Sequence, residues 1–306
     1  QTQEASHMAI SREEITDWFR ELQSNIITAL EEQDGSGKFI RDEWERPGGG
    51  GGLTCVIENA AVLEKGGVNF SAVHGPLPER ISSALQVPPS DFYATGVSIV
   101  MHPHNPFVPI IHMNVRYFEL SSGLWWFGGG IDLTPHYVNG VEADWFHSKM
   151  KEACNHTDES YHDRFSKWAD EYFYIKHRRE SRGVSGIFFD RLNETSEQKS
   201  KEELFSFVQD VGNSFAPVYT KLMEANHEKE FTRANKEFQF FRRSRYAEFN
   251  LVYDKGTKFG LDTDGKIESI LMSLPPETGW HYDSNWPEGS EESKTISYLQ
   301  TAHVPS

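Results

Sequence analysis

The chain has 306 residues and 35.0 kDa, with 37% apolar, 25% charged and 13% aromatic residues, which excludes disorder, collagenous and low-complexity classes for its bulk. Its 30 Lys and Arg against 46 Asp and Glu leave a net charge of −16, so nucleic acid is repelled by the average field and any anionic substrate needs locally placed cations. The two cysteines, Cys55 and Cys154, make no disulfide framework and are expected as free buried thiols in a reducing compartment.

No window approaches the ~18 uninterrupted apolar residues of a membrane span, and no basic stretch followed by an apolar one opens the chain, so a cytoplasmic protein without a transmembrane segment is expected. Residues 1–10 read as a disordered lead in which Ser6-His7-Met8 resembles a cloning scar, and the folded region is expected over 11–306. Ser11 and Glu14 form a capping box, and Ile15, Trp18, Phe19, Leu22, Ile26 and Leu30 fall on one helical stripe that stops at Asp34-Gly35. An extended run over Lys38–Arg46 is followed by Pro47 and the glycines Gly48 to Gly52, read as a flexible loop or one that approaches a ligand, and then by Leu53 to Ile57. Phe92–Met101 and Ile110–Leu120 read as strands separated by a turn-rich segment. Helices are expected over Val141–Cys154 and Tyr161–Arg178, a strand over Val184–Asp190, and a long amphipathic helix over Lys201–Ala225. Extended runs at Tyr246–Asp254 and Glu268–Leu274 and an acidic helix near Ser290–Gln300 complete the chain. Strands flanked by helices without regular alternation indicate an α+β fold with a largely antiparallel sheet, in a single domain.

Three features carry chemistry. Alternation in a strand puts His112, Asn114, Arg116 and Phe118 on one face and Ile111, Met113, Val115 and Tyr117 on the other, with Ser98 and His102 sharing a parity on the neighbouring strand. His, Asn and Arg in alternation are donors suited to a carboxylate, whereas a merely solvated strand favours Lys, Glu and Thr. The run Trp125 to Pro135 sets aromatics before Gly128, Gly129 and Gly130, which either close a sheet against a turn or admit a planar ligand beside Asp132. Tyr253-Asp254-Lys255-Gly256-Thr257 places an acid at the end of an extended run.

Several segments together resemble the oxygen-dependent coproporphyrinogen III oxidase family: Trp44-Glu45-Arg46 with the glycine run, Glu64 to Ser71, His102-Pro103 through His112 to Arg116, Trp126 to Pro135, Asp170 to Arg178, and Glu248 to Asp254. The resemblance covers about Ser11 to Tyr282. It implies a homodimeric enzyme of haem biosynthesis with a broad antiparallel sheet sandwiched between helices. Its implied reaction decarboxylates two propionates of coproporphyrinogen III to vinyls with molecular oxygen, giving protoporphyrinogen IX, carbon dioxide and hydrogen peroxide.

Carried over by residue, the resemblance implies substrate contacts at Ser98, Asn114, Val115 and Arg116, a proton donor in His112, and acids near pyrrole nitrogens in Asp132 and Asp254. Asp264, Gly265 and Lys266 match a further substrate-contacting segment. Asp264 departs from the family pattern, as does Lys255, where arginine is usual. If Tyr246 to Lys255 is extended, Lys255 faces away from the pocket and is expected to support structure through a salt bridge or carbonyl contact. His102, His112, His147 and His177 match histidines considered as metal ligands, but their spacing forms no compact motif, and the implied reaction requires no metal or organic cofactor, with oxygen as co-substrate. Two other classes are an iron oxygenase using His156-Thr157-Asp158 and a non-catalytic tetrapyrrole carrier. The basic-aromatic run Phe241 to Tyr246 suits carboxylate binding or dimer packing better than nucleic acid in so acidic a chain.

Overall fold

The computed structural model describes residues 9–306, so the expected lead segment lies, but for its last two residues, outside the described residues. Helix α1 (Arg12–Asp34) precedes β1 (Ile40–Glu45), β2 (Gly50–Glu58) and β3 (Leu63–Pro76), and α2 (Glu79–Leu85) precedes β4 (Asp91–Pro103), β5 (Ile110–Leu120) and β6 (Trp125–Thr134). Then follow α3 (Gly140–Asn155), α4 (Tyr161–Tyr172), the short strands β7 (Tyr174–Ile175) and β8 (Glu180–Ser181), β9 (Gly186–Leu192) and α5 (Glu194–Glu197). The chain closes with α6 (Lys201–Asn226), α7 (Arg233–Val252), α8 (Lys255–Asp262), α9 (Ile267–Leu271) and α10 (Glu291–Thr301). Seven strands pair antiparallel in the order β1-β2-β3-β4-β5-β6-β9, and helices lie against both faces, as expected of a single α+β domain. Among the described residues no helix is long and apolar enough to cross a membrane.

Register sorts the two faces. The row Cys55, Val68, Ile99, Met113, Ile131 and Ile187 runs across the sheet on one side and belongs to the main core. That core is completed by Ile15, Phe19, Leu22, Ile26 and Leu30 of α1, the stripe read from the sequence, and by Leu204, Phe207, Val208, Val211 and Phe215 of α6. Ser11 caps α1, accepting the Glu14 N–H at 3.2 Å. The opposite face is covered only in part. Leu77, Ile81 and Leu85 seal one end over Phe92, Phe118 and Trp126. At the other end Tyr246 of α7 packs on Val100 and Ile110, and Met272 lies over Gly67. Between these caps the sheet is left as a trough.

Four local expectations are corrected. Tyr246–Asp254 is not extended, because residues 246–252 are the last turns of α7. Phe238, Phe241, Arg242, Arg245, Tyr246 and Phe249 are among its buried positions and follow helical spacing, but the helix also buries Arg243, Gln239 and Asn250, and this share of polar and charged residues hides the stripe from a hydropathy reading. Glu268–Leu274 likewise contains α9. Gly50–Gly52 are strand residues, and only Gly48 and Gly49 remain in the turn, closed by Arg46 N–H donating to Gly50 O at 2.8 Å. The helix expected to reach Arg178 stops at Tyr172, and β7 and β8 form a small hairpin.

Asp34, at the end of α1, ties that helix to the β2–β3 connection by accepting N–H groups from Ser36, Gly37, Ala61, Val62 and Leu63. Burial opposes its ionisation, but the N–H groups of Leu63, Val62, Gly37 and Ser36 outweigh it and hold the carboxyl below its ordinary value of 3.8. A depressed folded-state pKa contributes stability that is present above the unfolded value and lost as pH falls through the folded one. Asp34→Asn is therefore expected to lower stability by about 1–3 kcal/mol at neutral pH, with the gap to wild type closing below about pH 4 in urea melts. A gap independent of pH would contradict this.

Candidate active site

Three rows of cross-strand partners floor the trough. One runs Asp42, Thr54, Asn69, Ser98, Asn114, Gly130, Phe188; the next Trp44, Gly52, Ser71, Gly96, Arg116, Gly128; the third Ile40, Val56, Gly67, Val100, His112, Asp132, Gly186. Short polar side chains and glycines dominate, so this part of the sheet is flat and rich in hydrogen-bonding groups. The glycines of β6 are central strand residues, not a turn. A Cβ on Gly128 would lie 2.8 Å from the Arg116 guanidinium, so the absent side chain is what lets that group rest on the strand.

Asp132 and His112 are register partners, and the Asp132 carboxylate takes His112 Nδ1 on Oδ1 at 2.7 Å and Arg182 on Oδ2 at 2.8 Å. Burial works against the Asp132 charge, yet Arg182 and His112 outweigh it and hold the pKa below its ordinary value. An ionised carboxylate only accepts, so His112 Nδ1 must donate. His112 Nε2 has no protein partner among the described residues, and its side chain is 19% exposed to the trough. Arg182, 2% exposed, sits among Phe173, Tyr246 and Phe249 with ring centroids 4.5, 4.5 and 4.8 Å away, and also donates to Asn250 Oδ1 at 2.7 Å.

Arg116 is partly exposed, donating to Asn114 Oδ1 at 2.9 Å and pairing with Asp190 at 3.1 Å. Ser98 stands beside Asn114 in the same row. Tyr172 stacks on Phe188 with centroids 4.0 Å apart and donates to Asp254 Oδ1 at 2.9 Å, forming an aromatic wall. Val115 differs from expectation: its side chain is fully buried in the main core on the far face, as strand alternation requires, and cannot touch a ligand in the trough.

Asp254 is not at a strand end. It is the N-cap of α8, with Oδ2 accepting from Thr257 N at 2.9 Å and Thr257 Oγ1 at 2.7 Å. The parity argument for Lys255 falls with the strand. Lys255 begins α8, its side chain is exposed, and among the described residues it makes neither the expected salt bridge nor the carbonyl contact; only its N–H donates, to Tyr172 Oη. Asp264 is exposed with φ of 55°, Gly265 N–H closes a turn on Gly260 O, and Lys266 pairs with Asp42 of β1. That pair is four strands from Asn114, roughly 19 Å at about 4.8 Å per strand, so it stands at the opposite end of the trough.

The four histidines considered as metal ligands are not gathered. His102 and His147 bond the carbonyls of Ser273 and Val184, both at 2.8 Å, and burial lowers the pKa of each, His147 to about 4. His177 meets Tyr253 Oη and Glu248, and His112 meets Asp132. Among the described residues no three His, Cys, Asp or Glu side chains converge as a metal cluster. His156 faces Asp210 at 3.6 Å while Asp158 pairs with Lys199 at 2.7 Å, so His156-Thr157-Asp158 does not act as one unit. The arginines of the Phe241–Tyr246 run turn inward: Arg242 bonds Glu180 at 2.8 Å and Arg243 bonds Glu64 at 2.6 Å, which leaves neither for a docking surface. Sequence reading missed Arg182, Tyr172, Asn250, Phe188 and Asp190; only the density of arginines between Arg178 and Arg182 hinted at the first.

The fold and this flat floor of oriented donors define a small-molecule enzyme. The chain belongs to the coproporphyrinogen III oxidase family, which its residues 14–304 match. It is 47% identical over 292 residues to the chloroplastic oxygen-dependent coproporphyrinogen-III oxidase of Glycine max, covering 90% of this chain and 75% of that one. Coproporphyrinogen-III oxidase 1, chloroplastic, of Arabidopsis thaliana matches at 47% with the same coverage, and the Nicotiana tabacum oxidase at 46% over 293 residues, 90% of this chain and 73% of that one.

Because Asp254 caps α8, Asp254→Ala is expected to destabilise the protein by about 1–2 kcal/mol. Lys255→Ala should stay within about 0.5 kcal/mol of wild type. Chemical denaturation of both variants checks the pair, and equal losses would contradict the assignment.

Proposed function

We propose that this chain is an oxygen-dependent coproporphyrinogen III oxidase, converting two propionates of coproporphyrinogen III to vinyls to give protoporphyrinogen IX. The observation that carries the reading is 46–47% identity over 90% of the chain to proteins of that name. Each conversion takes one propionic acid group and one oxygen molecule to one vinyl, one carbon dioxide and one hydrogen peroxide, so the two electrons leaving the side chain reduce oxygen. Residues of the trough supply binding and proton handling. Arg116, oriented by Asn114 and Asp190, takes a propionate, with Ser98 and Asn114 beside it; Lys266, with Gly265 and Asp264, serves a propionate at the far end. His112 exchanges a proton at Nε2, and Asp132 acts through it as a positioning residue, since both its oxygens are engaged. Asp254 keeps a lone pair on Oδ1, beside the Tyr172 wall, for a pyrrole N–H.

Two further parts of the reading are a homodimer and a cytoplasmic location. β1 supports the dimer: it is an edge strand exposed along its length, with Ile40 72% exposed, a surface that invites another chain. The location rests on two buried free thiols, while the chloroplastic names of the relatives favour a plastid instead.

The direct test follows oxygen uptake and carbon dioxide release with coproporphyrinogen III. Two of each per protoporphyrinogen formed is expected, and binding without oxygen uptake would make the protein a carrier. Arg116→Ala should lower kcat/KM roughly tenfold to a thousandfold, the scale of about 1.5–4 kcal/mol for a partly desolvated charge-assisted contact; near-normal kinetics would remove Arg116 from the site. Activity should survive exhaustive chelation, and activity tracking a stoichiometric metal would overturn the metal-independent reading.

A further inference from the structure

Asp190 is assigned no role by the reading above beyond holding Arg116; it stands on the trough face by the same alternation that places Phe188 there, and the sheet bulges directly after it. β9 pairs with β6 at Gly129–Phe189 and next at Phe127–Leu192, so one extra residue is inserted on β9. Arg191 takes up the bulge with φ of 54°. Regular alternation beyond Phe189 would leave one residue of this stretch on the trough face; the bulge leaves two, Asp190 against Arg116 and Arg191 over Trp126. The bulge thus adds Arg191 to the face where Asp190 already stands. Gly128 makes the room, since a Cβ there would lie 2.6 Å from Asp190 Oδ1.

Three carboxylates at the β5–β9 end of the trough differ in what they have left to offer. Asp132 has both oxygens bound to cationic or donor side chains in the interior, and Asp254 divides its oxygens between Tyr172 and Thr257. Asp190 uses Oδ1 for both its bonds, to Arg191 N at 2.9 Å and Arg116 at 3.1 Å. Its Oδ2 has no hydrogen-bond partner among the described residues, and the side chain is 32% exposed. The trough therefore holds, side by side, a guanidinium for a carboxylate and an open carboxylate oxygen that can only accept.

We propose that Asp190 is a substrate-binding residue that accepts pyrrole N–H groups and so selects the reduced macrocycle over its oxidised porphyrin. The proposal rests on the substrate reading above. A porphyrinogen carries four pyrrole N–H donors and no imine nitrogen, so an acceptor meets a donor whichever ring faces it. The corresponding porphyrin carries two N–H groups and two imine lone pairs, and a carboxylate facing a lone pair loses its hydrogen bond and is repelled. The peripheral carboxylates are the same in both, so Arg116 alone cannot tell them apart.

Under strict exclusion of oxygen, which prevents turnover, Kd is measured for coproporphyrinogen III and for coproporphyrin III on wild type, Asp190→Asn and Asp190→Ala. Wild type should prefer the porphyrinogen by at least about tenfold, the scale of one hydrogen bond to a charged group. Both variants should reduce that preference roughly tenfold, the Asn amide doing so partly by donating to an imine nitrogen. Freeing Arg116 would by itself move both affinities together, so an unchanged ratio in the variants overturns the proposal. Equal affinity of wild type for the two ligands overturns it without any variant having to fold. A wild type that fails to turn over coproporphyrinogen III in air would defeat the substrate reading instead, which separates the two failures.

Discussion

The ion pair between Arg182 and Asp132 is the interaction on which the site depends. Both side chains are almost wholly out of water, and each answers the other's desolvation: breaking such a pair by removing one partner costs about 3–5 kcal/mol because the remaining charge is stranded. The pair also joins parts of the chain that are far apart. Asp132 belongs to β6, Arg182 precedes β9, and Asn250 and the rings around the guanidinium come from α4's end and α7. Helix α7 is thereby docked on the same face of the sheet that carries His112, and the trough has a rigid end wall made by the interaction that orients its proton-carrying group.

The other constraint is flatness. A seven-stranded sheet covered on one face from β2 to β9 can be left open on the other only if that face tolerates water, and the rows from Asp42 to Asn114 do so with short polar side chains. The glycines at 52, 67, 96, 128 and 130 remove the ridges that would keep a broad ligand off the strands, while neighbouring side chains such as Arg116 of the same row and Met272 at the end of α9 fill part of the space they leave. A floor of this kind gives up packing on one side of the sheet, and the large apolar core beneath α1 and α6 offsets that loss.

Much of this was legible in the sequence where a two-residue period decides the outcome. The polar face of β5 and its pairing with Ser98 follow from alternation, and the same alternation required that Val115 point into the core although the family pattern suggested a contact. Failure came where charge and burial coincide. Arg242 and Arg245 occupy core positions of α7, so in sequence the helical stripe looks broken, the segment reads as extended, and Asp254 and Lys255 read as the end of a strand where α7 in fact gives way to α8. Arg182 and Asp190 could not be found locally: one is fixed by partners about 50 and 70 residues away in sequence, the other takes its meaning from Arg116, reached across Gly128 of β6.

The arrangement at stake is an ionised Asp132 that, held by Arg182, makes His112 a donor at Nδ1 and leaves Nε2 open to the trough. It is tested most directly by the ring-nitrogen chemical shifts of 15N-labelled histidine, with His112 assigned by its absence from His112→Gln, under conditions where the ring is neutral. The expected result is the tautomer protonated on Nδ1, with Nε2 as the bare nitrogen. A neutral His112 carrying its proton on Nε2 would contradict it, because Asp132 would then have to be protonated and the chain of charge from Arg182 to the trough would be broken.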